Sequence, residues 1–176
     1  MVSTQELKAL VQSLDSEALV AQLGPFVLIQ RPKKTNRPED FADVTQPVHQ
    51  DVISTSALAL IFQFDDLLVA NLPPLRDVDE LFIGRLPDCD VCLDDPSVSK
   101  RHAVLRWDAK SARCSVADLG SKNGTFLNAA TRLHGETTLR DGDILSFGDA
   151  QFWYLHTSTL HTKLTALKPA GPTPAV

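Results

Sequence analysis

Between residues 57 and 156 the chain alternates short apolar, β-prone runs with turn residues. That rhythm most narrows what it can fold into. The runs are Ala57–Phe64, Glu80–Arg85, Val91–Leu93, Ala103–Trp107, Arg113–Ala117, Gly124–Leu127, Asp143–Phe147 and Gln151–Leu155. Several short strands with turns roughly every 8–12 residues predict an all-β sandwich or barrel.

The flanks read differently. Residues 1–24 predict a helical extension. Ser3 and Glu6 have capping-box spacing, and Leu7, Leu10, Val11 and Leu14 fall on one helical stripe. Asp15 or Ser16 restarts a second helix through Leu23, which Gly24-Pro25 ends. This piece packs on its own chain or, as a second expectation, supplies a docking or homodimer surface. Residues 25–51 predict a linker or long loop, with a short apolar run at Phe26–Gln30 that suits a strand and then Pro32, Pro38 and Pro47 in a polar stretch. The sandwich domain is expected over 52–158 and a flexible, proline-containing tail over 159–176.

Charge and cysteine content exclude several functions. The formal charge is −5 and the isoelectric point about 5.4. Bulk charge therefore does not favour nucleic acid, and any anion must be caught by a local cluster of donors. No apolar run reaches membrane-spanning length, and the N-terminus lacks a basic region followed by an apolar core, so a cytoplasmic location without membrane insertion is expected. Cys89, Cys92 and Cys114 are an odd set. Cys89 and Cys92 are spaced as Cys-x-x-Cys, but no second ligand pair completes a metal site, so no metal or cofactor is expected. Cys92 and Cys114 read as small strand residues. There is no phosphate-cradling nucleotide loop and no recognisable nucleophilic triad. No catalytic residue is assigned, and the expectation is a binding module, not an enzyme.

Six short features carry the functional signal: Gly84-Arg85, Ser99-Lys100-Arg101-His102, Asp118-Leu119-Gly120-Ser121, Asn123-Gly124-Thr125, Leu127-Asn128 and Asp141-Gly142-Asp143. Singly, each has a plain reading. Arg85 is a surface arginine for Asp88 or Asp90, Ser99 a turn cap, Lys100-Arg101 a solvated pair and Asn123-Gly124 a tight turn. Glycine at 84 lets a backbone or ligand approach closely. Together, in this order and spacing, the features resemble the forkhead-associated (FHA) domain, a phosphothreonine-reading β-sandwich of two antiparallel sheets.

The resemblance spans about residues 57–156 and implies a site. Arg85 and Ser99 would grip the phosphate, and Lys100, Arg101, Ser121 and Lys122 would add donors. Asn123 would hold the ligand backbone. Gly84, His102, Gly124 and Asn128 would support the loops. Two positions depart from the usual family pattern: Lys122 stands where Thr or Ser is common, and Ala129 where Gly is common. The implied partner is a threonine-phosphorylated protein, a Ser/Thr kinase or its substrate, with the chain as a signalling adaptor. The alternative is a phosphate-independent scaffold or dimer using the same fold and the N-terminal helices.

Overall fold

Two antiparallel-dominated sheets face each other across one apolar core in the computed structural model of the chain, which describes residues 2–3, 9, 13–31, 68–70, 72, 75 and 78–166. The strands are β1 (Val2–Ser3), β2 (Phe26–Gln30), β3 (Leu68–Val69), β4 (Val78–Gly84), β5 (Val91–Cys92) and β6 (Ala103–Asp108). They continue as β7 (Arg113–Asp118), β8 (Thr125–Leu127), β9 (Thr131–Arg132), β10 (Thr137–Thr138), β11 (Ile144–Phe147) and β12 (Ala150–His156). Helices α1 (Ser16–Leu23) and α2 (Thr157–Ala166) complete the described elements. One sheet runs β1-β3-β2-β12-β11-β8-β9 and the other β10-β7-β6-β4-β5. Only β4 and β5 pair in parallel.

The predicted strands from Glu80 onward are present, with ends shifted by a residue or two. The predicted strand Ala57–Phe64 lies outside the described residues. So do most of the first helical stripe and Glu6; Ala9 and Ser13 are helical, while Ser3 lies in β1. The second helix starts where expected. The Asp15 carboxylate accepts the Ala18 N–H at 2.8 Å, and Gly24, at φ +89°, closes the helix by donating its N–H to Val20.

Two expected boundaries give way. Phe26–Gln30 is not part of a linker: β2 sits inside the seven-stranded sheet and pairs with β12 from Phe26↔His156 to Gln30↔Phe152. Residues 159–166 are not a flexible tail but most of α2. The reason is the apolar content of β2 and β12. Phe26, Leu28, Phe152 and Tyr154 point into the sandwich core, while Val27, Ile29, Trp153 and Leu155 point to the opposite face. Strands buried on both faces read as continuous apolar runs, and something must cover the second face. Leu19 of α1 and Leu160 and Leu164 of α2 do so, joined by Leu14 and Leu23. The apolar side of α1 is thereby spent on its own chain.

Leu160 is fully buried in this second cluster. Leu160→Ala should lower stability by about 2–4 kcal/mol in urea unfolding, the cost of a large-to-small core change. A mobile segment would register almost nothing.

Candidate functional site

Four loops meet at one end of the sandwich: 85–90 after β4, 93–102 before β6, 119–124 after β7 and 148–149 between β11 and β12. Irregular loops cannot satisfy their own polar groups by a ladder, so specific bonds must hold them. The first contact is backbone to backbone. Arg85 N–H donates to Ser99 O at 3.0 Å, Leu86 N–H to Lys100 O at 3.1 Å, and His102 N–H to Ile83 O at 2.8 Å. Gly84 permits this approach: a Cβ there would lie 2.3 Å from the Lys100 carbonyl oxygen. Its missing side chain makes room for a neighbouring backbone.

His102 is fully buried and joins two loops. Its Nδ1 accepts the Ser99 N–H at 3.0 Å, which requires the neutral ring with the proton on Nε2. Nε2 then donates to Gly124 O at 3.0 Å. The ring also meets Phe147 edge-on, with centroids 5.8 Å apart. Burial holds the imidazole below its ordinary value, against the opposing effects of the Gly124 hydrogen bond and the Asp118 charge. These contacts link the loop of Ser99 to that of Gly124.

Asp118 organises the third loop. Its carboxylate accepts from Gly120 N, Ser121 N, Ser121 Oγ and Thr125 Oγ1 at 2.6–3.0 Å. Burial alone would raise its pKa, but the hydrogen bonds from Ser121 and Thr125 outweigh it and hold the group below the ordinary carboxylate range. The Ser121 hydroxyl, which the sequence offered as a phosphate donor, is engaged within its own loop. It is buried, its single hydroxyl proton goes to Asp118, and its oxygen accepts the Gly124 N–H at 2.9 Å.

Ser97 ties the remaining loops and carried no motif signal in the sequence. Its N–H and hydroxyl both bond Asp95 Oδ1, and its oxygen accepts the Asp149 N–H at 2.8 Å. Its carbonyl takes the Asn123 Nδ2 proton at 2.7 Å. Gly148 lies so close that a Cβ would sit 2.5 Å from that carbonyl. The only sequence hint was Asp95 two residues before Ser97, the spacing of a side-chain-closed turn.

The groups left outward are informative. Ser99 Oγ accepts the Lys122 N–H at 3.0 Å, which fixes the oxygen and leaves the hydroxyl proton available. Asn123 is exposed; with one Nδ2 proton on Ser97, its Oδ1 and second proton face outward chemistry. Arg85 is exposed and makes no side-chain hydrogen bond or ion pair among the described residues. The anticipated partners are taken: Asp88 holds Arg101 at 2.7 Å, and Asp90 accepts the Phe82 N–H. The Arg101 guanidinium is paired with Asp88 in an exposed ion pair and lies 5.5 Å from the Phe82 ring centroid, whereas Arg85 has no such partner among the described residues. Lys100 and Lys122 are exposed, and their ammonium groups have no partner among the described residues.

Asn128 ties the far end of β8, away from the four loops, to the start of β11. Its side chain donates to Asp143 Oδ1 at 2.9 Å and accepts the Ile144 N–H at 2.9 Å. The turn it opens keeps positive φ at Asn128 (+51°) and Ala129 (+63°) although no glycine is present. Among the described residues no group of three or more His, Cys, Asp or Glu is placed to hold a metal. Cys92 and Cys114 do sit on strands, and burial pushes the Cys114 thiol up to about 12. A hollow of about 440 Å³ lies elsewhere, on the five-stranded sheet, lined in part by Arg106 and Glu136, which pair with each other.

A β-sandwich with donor-bearing loops locked together at one end is the class this fold and site define. Residues 81–148 match the family model of the FHA domain. Human kanadaptin is 41% identical over 85 residues, covering 42% of this chain and 11% of that protein. The oxoglutarate dehydrogenase inhibitor of Corynebacterium jeikeium is 36% identical over 84 residues, covering 48% of this chain and 56% of that protein. The chain thus spans about half the corynebacterial relative and a small part of the human one. Among solved structures, EmbR of Mycobacterium tuberculosis in complex with a low-affinity phosphopeptide is 34% identical, covering 44% of this chain and 20% of that one, with a TM-score of 0.40. Helices α1 and α2, with β2 and β12, lie outside the matched span.

Two outcomes test this architecture. Because the folded His102 pKa lies below the ordinary value of 6.5, the unfolded chain binds the proton first as pH falls. Its contribution is present above about pH 6.5 and is lost as pH drops toward the folded value. The urea midpoint should fall from pH 7 to 5, and less steeply in His102→Gln. An equal slope in that variant assigns the effect to another group. Ser121→Ala should cost about 1–3 kcal/mol of stability by stranding buried partners, while ligand affinity of the folded protein stays within about twofold. Lost affinity at unchanged stability would put Ser121 in contact with ligand.

Proposed function

We propose that the chain is a phosphothreonine-peptide binding module. The carrying observation is that the Arg85 guanidinium, the Ser99 hydroxyl proton and the Asn123 Oδ1 with its second Nδ2 proton have no partner among the described residues, on loops tied to one another by hydrogen bonds. A phosphorylated side chain brings close to two negative charges and three acceptor oxygens. Arg85 supplies a charged planar fork and Ser99 a hydroxyl donor held at its oxygen by Lys122 N–H. Lys100 and Lys122 add mobile positive charge. Asn123 offers an acceptor and a donor to the peptide backbone beside the phosphothreonine.

The match of residues 81–148 to the FHA domain supports this reading. Charge-assisted bonds contribute about 1.5–3 kcal/mol each. Two or three of them, less the cost of ordering a peptide, fit a micromolar complex of about −8 kcal/mol. Removing the phosphate removes most of that.

The chain then acts as an adaptor. It carries no assigned catalytic group, and its ligand is made by a separate Ser/Thr kinase acting on the partner or on itself. No helix among the described residues is long and apolar enough to cross a membrane, and a cytoplasmic setting suits a kinase product.

Fluorescence anisotropy with phosphothreonine, phosphoserine and unphosphorylated peptide pools tests the reading. Phosphate-dependent binding should fall by at least tenfold in Arg85→Ala with unchanged unfolding. Equal binding of the phosphorylated and unphosphorylated pools would favour the phosphate-independent scaffold instead.

A further inference from the structure

Arg132 sits on the edge strand β9, paired with Phe126 of β8, and is exposed. Its side chain turns back toward the loop end and lies on Gly124. A Cβ on Gly124 would stand 2.8 Å from Arg132 Nε, 3.1 Å from Cζ and 3.2 Å from Nη2. Gly124 also has φ +84°, so glycine is required there twice over. Its carbonyl is held on the inner side by His102 Nε2 and the Gly148 N–H. The backbone is thus gripped from within, and the guanidinium occupies the space a side chain would fill.

Three other arginines are spent, while Arg85, Arg113 and Arg140 have no side-chain partner among the described residues. Arg31 donates to Gln151, Arg101 pairs with Asp88, and Arg106 with Glu80 and Glu136. Arg132 has no hydrogen bond or ion pair among the described residues. A guanidinium laid against backbone has lost part of its rotamer freedom, so little more is lost when it bonds an anion. It also stands next to Asn123, the residue assigned to the ligand backbone. Lys122, on the other side of Asn123 in sequence, is tied by its N–H to the Ser99 hydroxyl oxygen.

We propose that Arg132 forms a second anion subsite, which takes an acidic group borne by the bound peptide a few residues from the phosphothreonine. The group is a side-chain carboxylate or a second phosphate. The inference rests on the phosphopeptide reading of the main site and adds a selectivity to it. A purely structural role, covering Gly124, would make binding depend on Arg132 equally for every peptide.

The test uses the full chain and a set of phosphothreonine peptides with alanine flanks. Each flanking position within four residues is replaced in turn by Asp or by phosphoserine, and affinities are read by anisotropy for the wild type, Arg132→Ala and Arg132→Lys. The wild type should favour an acidic group at one or two positions by about three- to tenfold. Arg132→Ala should lose that preference while binding the alanine-flanked peptide as before, with Arg132→Lys intermediate. A preference for phosphoserine alone identifies a second phosphate; equal preference for Asp identifies any acid. The same acid preference in Arg132→Ala, or an equal loss for all peptides with a lowered melting temperature, overturns the subsite and leaves the main site standing. Failure of the folded wild type to bind any phosphopeptide overturns both.

Discussion

The neutral His102 imidazole between Ser99 N–H and Gly124 O is the interaction on which the rest of the loop end depends. One ring, buried and unable to exchange its bonds with water, sets the spacing of the two loops that carry Ser99 and Asn123. Around it, Asp118 saturates its carboxylate within the third loop, and Ser97 binds Asp95, Asp149 and Asn123. Buried polar networks are costly unless every member is satisfied. Here satisfaction inside the loops is what leaves a few named donors free at their outer surface.

That division explains how similar residues take different roles. Arg85 and Arg101 are both exposed arginines beside acidic residues in the sequence. Arg101 reaches Asp88 and the Phe82 ring, and Arg85 reaches neither. Ser99 and Ser121 are both loop serines. Ser121 gives its proton to Asp118, whereas Ser99 uses its oxygen as an acceptor and keeps its proton. Residue type sets the capacity to bind an anion, and the neighbouring carboxylates decide which copies retain it.

The helical layer has a different physical origin. β2 and β12 are apolar on both faces, so a bare two-sheet sandwich would expose Val27, Ile29, Trp153 and Leu155 to water. Each large apolar side chain covered contributes about 1.5–3 kcal/mol. Helices α1 and α2 meet that demand from opposite ends of the described chain. The consecutive apolar residues Phe26–Ile29 and Phe152–Leu155 were the visible sign of burial on both faces. Treating 25–51 as a linker and 159–176 as a tail overlooked it, because Leu160 and Leu164 show their purpose only against a sheet face.

Turn spacing and alternating apolar runs, which are local, by themselves determined the strand set from Glu80 onward and the sandwich class. Short motifs likewise singled out Gly84, Arg85, Ser99, His102 and Asn123, which the fold brings to one end. What tertiary structure decided was availability: Ser121 and Arg101 consumed, Ser97 recruited as a tie, and Arg132 brought from an edge strand onto Gly124. A motif states which donors exist. Which of them is already bonded depends on partners far away in sequence, and those distances exist only once the sheets are packed.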